Sequence, residues 1–420
     1  MAAKSLHIGF ISTRLAGTDG VSLETAKWAH VLTELGHHCY YFAGESEWSA
    51  EQSYVVPEAH FTHPDVFALT QELFGDYIRL PQTSQHVQKL KEYLKGHLQR
   101  FVDRFKLDIL IIENALAIPV HIPLGLAITE FIAETQIPAI AHHHDFAWER
   151  ERFLISAAND YLRAAFPPVL PTLRHVVINS FAAHQLAMRT GERAVLIPNV
   201  MNFDDPPPPP DGYAADLRVE LGVAADALLL LQPTRIVPRK QIERAIELTR
   251  RLDKPATLVI THESGDEGRD YADYLRRFAD LLNTHVIFAA DRFDYDRGKT
   301  ADNRKIYSLA DAYYAADLIT YPSVIEGFGN AFLETIYFRR PILMRGYEIF
   351  EIDIKPKGFK VLTFQEFIAE ATVKETQSLL NDPARITEIV EENYRIATQF
   401  YSFKVLRDQL TVLLNECMGT

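Results

Sequence analysis

Residues 321–335 read YPSVIEGFGNAFLET. The mostly apolar residues 317–321 predict a strand, the two glycines predict a turn, and a helix is expected to begin near Asn330, which is a good helix cap. Glu326 then stays in the turn, and Glu334 lies about one turn into the helix. Helix entrances attract anions, so these carboxylates are either capping charges or groups that bind hydroxyls beside a bound phosphate.

The same pattern of strand, turn and helix recurs along the chain. Short, continuously apolar segments alternate with amphipathic ones, which is typical of parallel strands covered on both faces. We therefore predict an α/β protein with two doubly wound, Rossmann-like parallel-sheet domains that face a central cleft. One helix is expected over 305–315. Strands are expected at 6–12, 39–43, 107–113, 138–142, 175–180, 227–232, 256–261, 285–289, 317–321, 342–344 and 360–362.

A proline run separates the two sets of strands. Five consecutive prolines occupy 206–210, and they cannot continue a helix or a central strand. The run is either a surface loop or a stiff polyproline spacer, and its position in mid-chain favours a linker over 204–212. The 420 residues are enough for two domains.

Composition excludes several classes of protein. A formal net charge of -13 argues against a general nucleic-acid binder. Cys39 and Cys417 are too few for a disulfide framework, which suits the reducing cytoplasm. The first apolar run is too short for a signal peptide, and no stretch is long enough to span a membrane. We expect a cytoplasmic protein. Weak peripheral contact with a membrane is an alternative that the sequence does not exclude.

The turn after the first strand reads TRLAGTDG over 13–20 and leads into a helix. Backbone N–H groups at a helix N-terminus favour an anion, although many such turns are merely tight connections. The turn has neither the GxGxxG spacing of a dinucleotide site nor the lysine of a Walker loop. A nicotinamide-dependent oxidoreductase is therefore disfavoured.

A run of histidines ends the strand over 138–142. Residues 142–145 read HHHD, but consecutive residues of an extended chain point in alternating directions, so the three rings do not easily share one metal ion. We predict no metal here; one histidine faces the site and the others pack or hydrogen-bond locally. Arg150 and Arg152 follow, and they are either solvated helix charges or, if they face the cleft, ligands for an anionic group.

A basic cluster follows the first strand of the second half. Residues 233–240 read PTRIVPRK and include Arg235, Arg239 and Lys240. These are either ordinary surface charges or a phosphate site, because ligands of parallel sheets bind at the carboxyl ends of strands. Ionised carboxylates accept hydrogen bonds and suit sugar hydroxyls. A basic phosphate site together with an acidic hydroxyl site fits a nucleotide sugar.

Taken together, these motifs resemble the retaining glycosyltransferases of family 4, which have the GT-B fold of two Rossmann-like domains. The resemblance covers nearly the whole chain and rests above all on the E-x7-E element from Glu326 to Glu334, and then on the spaced Arg235 and Lys240. It implies that residues 1–203 bind the acceptor and residues 213–395 bind the nucleotide sugar. It also implies that the final helix, within 396–420, crosses back to the first domain.

The resemblance assigns roles to matching positions. Glu334 holds the ribose hydroxyls, Glu326 contacts hydroxyls of the donor sugar, and Arg235 and Lys240 bind the diphosphate and stabilise it as a leaving group. Gly20 approaches the phosphates. Amides in the turn also contact the donor, at Gly327, Phe328, Gly329 and Asn330. Near the reacting sugar, His144 is preferred as the catalytic histidine, and the expected acceptor-binding residues are His143, Asp145, Arg150 and Arg152.

The function that this resemblance implies is retaining transfer of a hexose from a nucleotide sugar, GDP-mannose or UDP-glucose, to a small acceptor. Arginines after the histidine run favour an anionic acceptor, such as a sugar phosphate or a glycosylated organic acid of the compatible-solute type. The alternatives are a lipid-linked glycan acceptor at a membrane and a non-catalytic protein that binds nucleotide sugars. No cofactor is expected. The DYD at 294–296 resembles a metal-binding DxD, but it is assigned to a loop near the base or to solvent.

Overall fold

The computed structural model describes residues 5–17, 19–264 and 270–419, and these form two compact units. The first unit contains the described residues up to Val200 together with those from Phe403 onward, and the second contains Met201–Ser402. The helices of the described residues include none with the length and hydropathy of a membrane span.

The first unit is built on a seven-stranded parallel sheet with the order β3-β2-β1-β4-β5-β6-β7. Its strands are β1 (His7–Ile11), β2 (His38–Ala43), β3 (Ser53–Val55), β4 (Ile109–Glu113), β5 (Ala139–His143), β6 (Leu173–Val177) and β7 (Ala194–Leu196). Its helices are α1 (Gly20–Glu34), α2 (Pro64–Leu73), α3 (Pro81–Phe105), α4 (Ile122–Thr135), α5 (Asn159–Ala165), α6 (Ser180–Thr190) and α14 (Phe403–Met418).

Both faces of this sheet are covered, as its apolar strands require. Helices α2 to α5 bury one face, and α1 packs with α14 on the other, where Trp28, Leu32, Leu406 and Leu410 are almost fully buried. The carboxyl ends of β1, β4 and β5 lie side by side at one end of the sheet.

The second unit has a six-stranded parallel sheet with the order β10-β9-β8-β14-β15-β16. These strands are β8 (Leu228–Gln232), β9 (Ala256–Ile260), β10 (Val286–Phe288), β14 (Leu318–Tyr321), β15 (Ile342–Arg345) and β16 (Leu362–Phe364). A separate small sheet contains β11 (Phe293–Asp294), β12 (Gly298–Lys299) and β13 (Lys305–Ser308). The helices are α7 (Leu217–Glu220), α8 (Ile242–Arg251), α9 (Asp270–Leu281), α10 (Leu309–Ala315), α11 (Asn330–Tyr337), α12 (Glu370–Leu380) and α13 (Pro383–Tyr401).

Two sequence expectations need correction in this unit. The helix expected over 305–315 begins four residues late, because Lys305–Ser308 pairs as β13 and Ser308 then caps α10 through a capping box with Asp311. Helix α11 begins at Asn330 as predicted, but its cap position belongs to Gly329 rather than to Asn330.

The proline run lies within the second unit. The Tyr314 hydroxyl donates to the carbonyl oxygen of Pro208 at 2.6 Å, and the Tyr337 hydroxyl donates to that of Asp205 at 3.0 Å. These bonds hold the segment against α10 and α11. The assignment of 204–212 as an interdomain linker, and of the flanking domain boundaries, stays a prediction.

Candidate active site residues in the two units

The turn between β14 and α11 depends on glycine at one position. Gly329 has a φ of 119°, and a Cβ atom added there would overlap the hydroxyl oxygen of Tyr347. That buried hydroxyl donates to the carbonyl oxygen of Phe328 at 2.6 Å, while the Phe328 ring packs on Tyr401 in the core. Only the backbone of Phe328 therefore remains for the donor contact that sequence predicted. Gly327 and Asn330 flank this fixed segment.

A buried ion pair joins this turn to the turn after β8. The Lys240 ammonium bonds to Glu326 Oε1, and Arg239 Nη1 lies 3.6 Å from Glu326 Oε2. The side chains of Lys240 and Glu326 are only 9% and 11% exposed. The N–H of Val324 donates to the Arg239 carbonyl at 2.9 Å, so backbone also links the two turns. The structure brings together two residues for which the sequence indicated different ligands.

Neighbouring cations favour the ionised form of the Glu326 carboxylate. Burial alone would raise the pKa of Glu326, but Lys240 and Arg239 outweigh it and lower that pKa. Burial lowers the pKa of Lys240, and the neighbouring Arg239 and Arg235 act in the same direction against the pull of Glu326. Lys240 and Arg239 flank the Glu326 carboxylate, and Arg235 acts on Lys240, so the cluster has excess positive charge, which suits a polyanionic ligand.

Glu334 is positioned by a tyrosine. It lies on α11, and its Oε2 accepts a hydrogen bond of 2.8 Å from the Tyr313 hydroxyl. Burial and then the charge of Glu334 raise the pKa of Tyr313 well above its usual value, so the phenol stays a donor. No sequence motif revealed Tyr313, because the contact joins α10 to α11 across the fold.

Arg235 lies near His262, a histidine that no sequence motif indicated. Arg235 is exposed after β8, and His262 follows β9, the neighbouring strand. Burial, then Arg235, then Lys240 lower the pKa of His262 to about 4. His262 is therefore a neutral ring within the basic cluster, and its position just after a strand was the available signal. Asp294 and Asp296 are exposed outside this cluster.

In the first unit, the turn before α1 is stabilised by its own acid. Gly20 is exposed as the first residue of α1, and the Asp19 carboxylate accepts from the N–H groups of Val21 and Ser22 at 3.0 and 3.2 Å. Arg14 pairs with Asp19 at 2.9 Å. The anion expected at this helix end is thus supplied by the chain, and Thr18 of the same turn lies outside the described residues.

The three histidines separate in the alternating way that an extended chain dictates. His142 stacks on Trp28 with ring centroids 4.2 Å apart, and its Nδ1 lies 2.9 Å from Glu113 Oε2. His143 turns the other way, is almost fully buried, and has its Nε2 2.9 Å from His175 Nδ1. Burial, and then its histidine neighbours, lower the pKa of His143 far below the usual value. His143 therefore does not share a surface with His144.

His144 belongs to a set held by the end of β4. Its Nε2 lies 3.4 Å from Glu113 Oε2, and its backbone N–H donates to Asn114 Oδ1 at 3.0 Å. Asn114 Nδ2 donates to Asp145 Oδ1 at 2.9 Å, and Arg150 Nε donates to the other Asp145 oxygen at 2.6 Å. His144, Asp145 and Arg150 are therefore brought together, with Asp145 already paired.

Two further features complete this region. The Arg152 guanidinium lies 4.6 Å from the centre of the Phe153 ring. Glu113, His142 and His144 each offer one atom within 4.8 Å of the others. Such spacing would also admit a small cation, but hydrogen bonds to the shared carboxylate account for it. Glu113 was missed because an acid that ends an apolar strand carries no motif.

Comparison with known proteins gives close relatives. No family model matches the chain. It is 31% identical to the mannosylglucosylglycerate synthase of Petrotoga mobilis over 380 residues, which cover 85% of this chain and 86% of the relative. It is 29% identical to the mannosylglucosylglycerate synthase of Thermotoga maritima, with 97% of this chain and 99% of the relative covered.

A solved structure shows the same fold. A glycosyltransferase from Rickettsia africae ESF-5 superposes with a TM-score of 0.68 at 12% identity, and the match covers 99% of both chains. The predicted GT-B fold, with two Rossmann-like parallel-sheet domains, is confirmed by this likeness and by the two sheets described above.

Proposed function

Because the chain belongs to the mannosylglucosylglycerate synthase family, we propose that it transfers a mannosyl group from a nucleotide sugar to a hydroxyl of glucosylglycerate. It is a hexosyltransferase with the GT-B fold. The proposal concerns the donor, the acceptor and the stereochemical course, which the resemblance to family 4 implies to be retaining.

The observation that carries the proposal is the buried Lys240–Glu326 pair, with Glu334 eight residues further along the same turn and helix. Phosphates need cations and sugar hydroxyls need acceptors, and this cluster supplies both within one unit. GDP-mannose is the donor that we favour, because the relatives are named for a mannosyl product. UDP-glucose is the competing donor.

The proposed chemistry follows from these charges. The bond between the sugar's anomeric carbon and the diphosphate oxygen breaks, and the acceptor oxygen attacks that carbon from the same face. The acceptor's proton passes to the departing phosphate oxygen. Lys240 and Arg235 stabilise the negative charge that develops on the diphosphate. When the donor binds, phosphate oxygens share the Lys240 ammonium, and Glu326 is then available to accept from sugar hydroxyls.

The remaining assignments complete this proposal. Glu334, oriented by Tyr313, accepts from the ribose hydroxyls. The amides around Gly329 lie in a turn that glycine alone fits, so the donor meets a fixed backbone. We propose that these side chains and amides serve in place of a cofactor, and that Asp294 and Asp296 have no role in catalysis.

The test pairs a site variant with a matched surface variant. Purified protein receives GDP-mannose or UDP-glucose together with glucosylglycerate, and the products are measured by mass spectrometry. Lys240→Met should lower kcat by roughly a hundredfold or more, because a charged group that stabilises a leaving anion is worth several kcal/mol. Lys254→Met, at an exposed lysine of the same unit, should leave kcat unchanged.

Two results would overturn the proposal. One is turnover by Lys240→Met close to that of the unaltered protein with the donor that it uses. The other is the absence of any hexosylated product with either donor, under conditions in which the nucleotide binds.

A further inference from the structure

Glu113 is a buried carboxylate that the chemistry described so far does not use. It ends β4 with no exposed side-chain surface, and in the parallel sheet it lies directly beside His142 of β5. Its Oε2 faces two rings, at 2.9 Å from His142 Nδ1 and 3.4 Å from His144 Nε2. Burying an ionised carboxylate costs free energy unless charged or hydrogen-bonding groups compensate it, and here the two histidine rings provide that compensation.

The two rings differ in their access to solvent. The side chain of His142 is 1% exposed and is covered by Trp28, whereas that of His144 is 10% exposed. Nε2 of His144 faces Glu113, and within the described residues its Nδ1 has no hydrogen-bond partner. A neutral imidazole has only one N–H, so a ring that donates to Glu113 can also donate from Nδ1 only when it is protonated.

The charged surroundings of His144 favour that protonated form. Glu113 faces it from β4, Glu24 acts on it from α1, and Asp145 follows it in the chain, while the ring of His142 packs against the ring of His144. Burial lowers the pKa of His144, but these three carboxylates outweigh burial and raise it. Glu24 is itself paired with Lys27 at 2.9 Å, and Asp145 is paired with Arg150. Among the described residues, the ionisable partners of Glu113 are His142 and His144.

We propose that Glu113 is a positioning residue that holds His144 as a cationic donor, whose outward N–H binds the carboxylate of the acceptor. The choice of an acceptor carboxylate rests on the proposed function. Arg150 is less suited to this role because Asp145 already engages its guanidinium. Glu113 thereby sets specificity for acidic acceptors without touching them.

The first measurement does not depend on turnover. The Cε1 proton of His144, assigned by its loss in His144→Gln, is titrated by NMR in the unaltered protein and in Glu113→Gln. The pKa of His144 should lie above 6.5 in the unaltered protein. It should fall by about one to three units in Glu113→Gln, because an opposite charge at this distance has that effect. Glu113→Asp, which keeps the charge, should retain most of the elevation, and Glu130→Gln, which alters an acid on α4, should retain all of it.

The second measurement uses acceptor kinetics. Glu113→Gln should raise the acceptor KM about tenfold or more at pH 7.5, with a smaller effect on kcat and none on the Kd of the free nucleotide. The rise in acceptor KM with increasing pH should begin at a lower pH in this variant. If Glu113→Gln does not fold, the probe is D-glycerate added to the unaltered protein, which should raise the pKa of His144 further.

The outcomes separate this proposal from the proposed function. A pKa of His144 that is ordinary, or that Glu113→Gln leaves unchanged, overturns the role of Glu113. So does a His144 signal that does not titrate because a metal ion copurifies with the cluster. If the pKa behaves as expected but no acidic acceptor is hexosylated, the positioning role stands, and the assignment of the acceptor fails.

Discussion

Replacing Gly329 by alanine should destabilise the second unit by about 2–6 kcal/mol, as the sum of two separate costs. The backbone cost is about 1–3 kcal/mol, because a φ of 119° is a conformation that side-chain-bearing residues rarely adopt. The second cost arises because the new Cβ displaces the Tyr347 hydroxyl from the buried carbonyl of Phe328. A buried carbonyl that loses its partner costs about 1–3 kcal/mol.

The two costs can be measured separately. Once the Tyr347 hydroxyl oxygen is removed, the nearest tyrosine ring atom to the added Cβ is Cζ at 3.4 Å, an ordinary contact. In the Tyr347→Phe background, Gly329→Ala should therefore cost only the backbone share of about 1–3 kcal/mol. Hydrogen exchange of β14 and β15, followed by mass spectrometry, reports the opening free energy of this unit alone.

A control is built into the chain. The three tryptophans, Trp28, Trp48 and Trp148, all lie in the first unit, so the denaturant midpoint of tryptophan fluorescence should not change in any of these variants. If Gly329→Ala costs the same in both backgrounds, overlap with Tyr347 is not the cause. If it costs less than about 1 kcal/mol in both, the turn does not require glycine at all.

Three other predictions follow from single contacts. Tyr313→Phe removes the hydrogen bond that orients Glu334, so the donor Kd in calorimetry should rise about twofold to tenfold, whereas Tyr314→Phe should leave it unchanged. Asp19→Ala removes the cap of α1 and should lower the unfolding free energy of the first unit by about 0.5–2 kcal/mol, which tryptophan fluorescence measures; an unchanged midpoint would contradict the cap. Because the pKa of the His262 ring is lowered to about 4, the NMR shift of its Cε1 proton should show no titration step between about pH 5.5 and 8. A step in that range would contradict the burial of this ring among cations.

The parts of the fold that depend on local pattern were predictable. Runs such as the four leucines at 228–231 are apolar throughout, because both faces of a parallel strand are covered. The carboxyl ends of those strands also indicated the two turns that the Lys240–Glu326 ion pair joins, whereas the catalytic role of these turns stays a prediction. The identification of a hexosyltransferase with the GT-B fold is confirmed, whereas membership of family 4, the retaining course and the cytoplasmic location stay predictions.

The parts that depend on pairing between distant segments were not predictable. Lys240 and Glu326 were assigned to different ligand groups, because sequence shows two turns but not that β8 and β14 are neighbours whose turns exchange an ion pair. Glu113 had no motif, and its role follows only from the register that places it beside His142. His143 was expected near the acceptor, and its ring instead faces His175, because alternation sends it to the opposite face of β5.

The most direct test of the proposed function is a comparison of two acceptors that differ in one group. GDP-mannose is supplied with glucosylglycerate or with glucosylglycerol, in which a hydroxymethyl group replaces the carboxylate, and products are followed by NMR of the new anomeric proton. We predict a mannosylated product with the donor's anomeric configuration from glucosylglycerate, and a rate at least tenfold lower with glucosylglycerol, since loss of a charged hydrogen bond costs about 1.5–3 kcal/mol. Equal rates with the two acceptors, or no mannosyl transfer to glucosylglycerate, would contradict the proposed function.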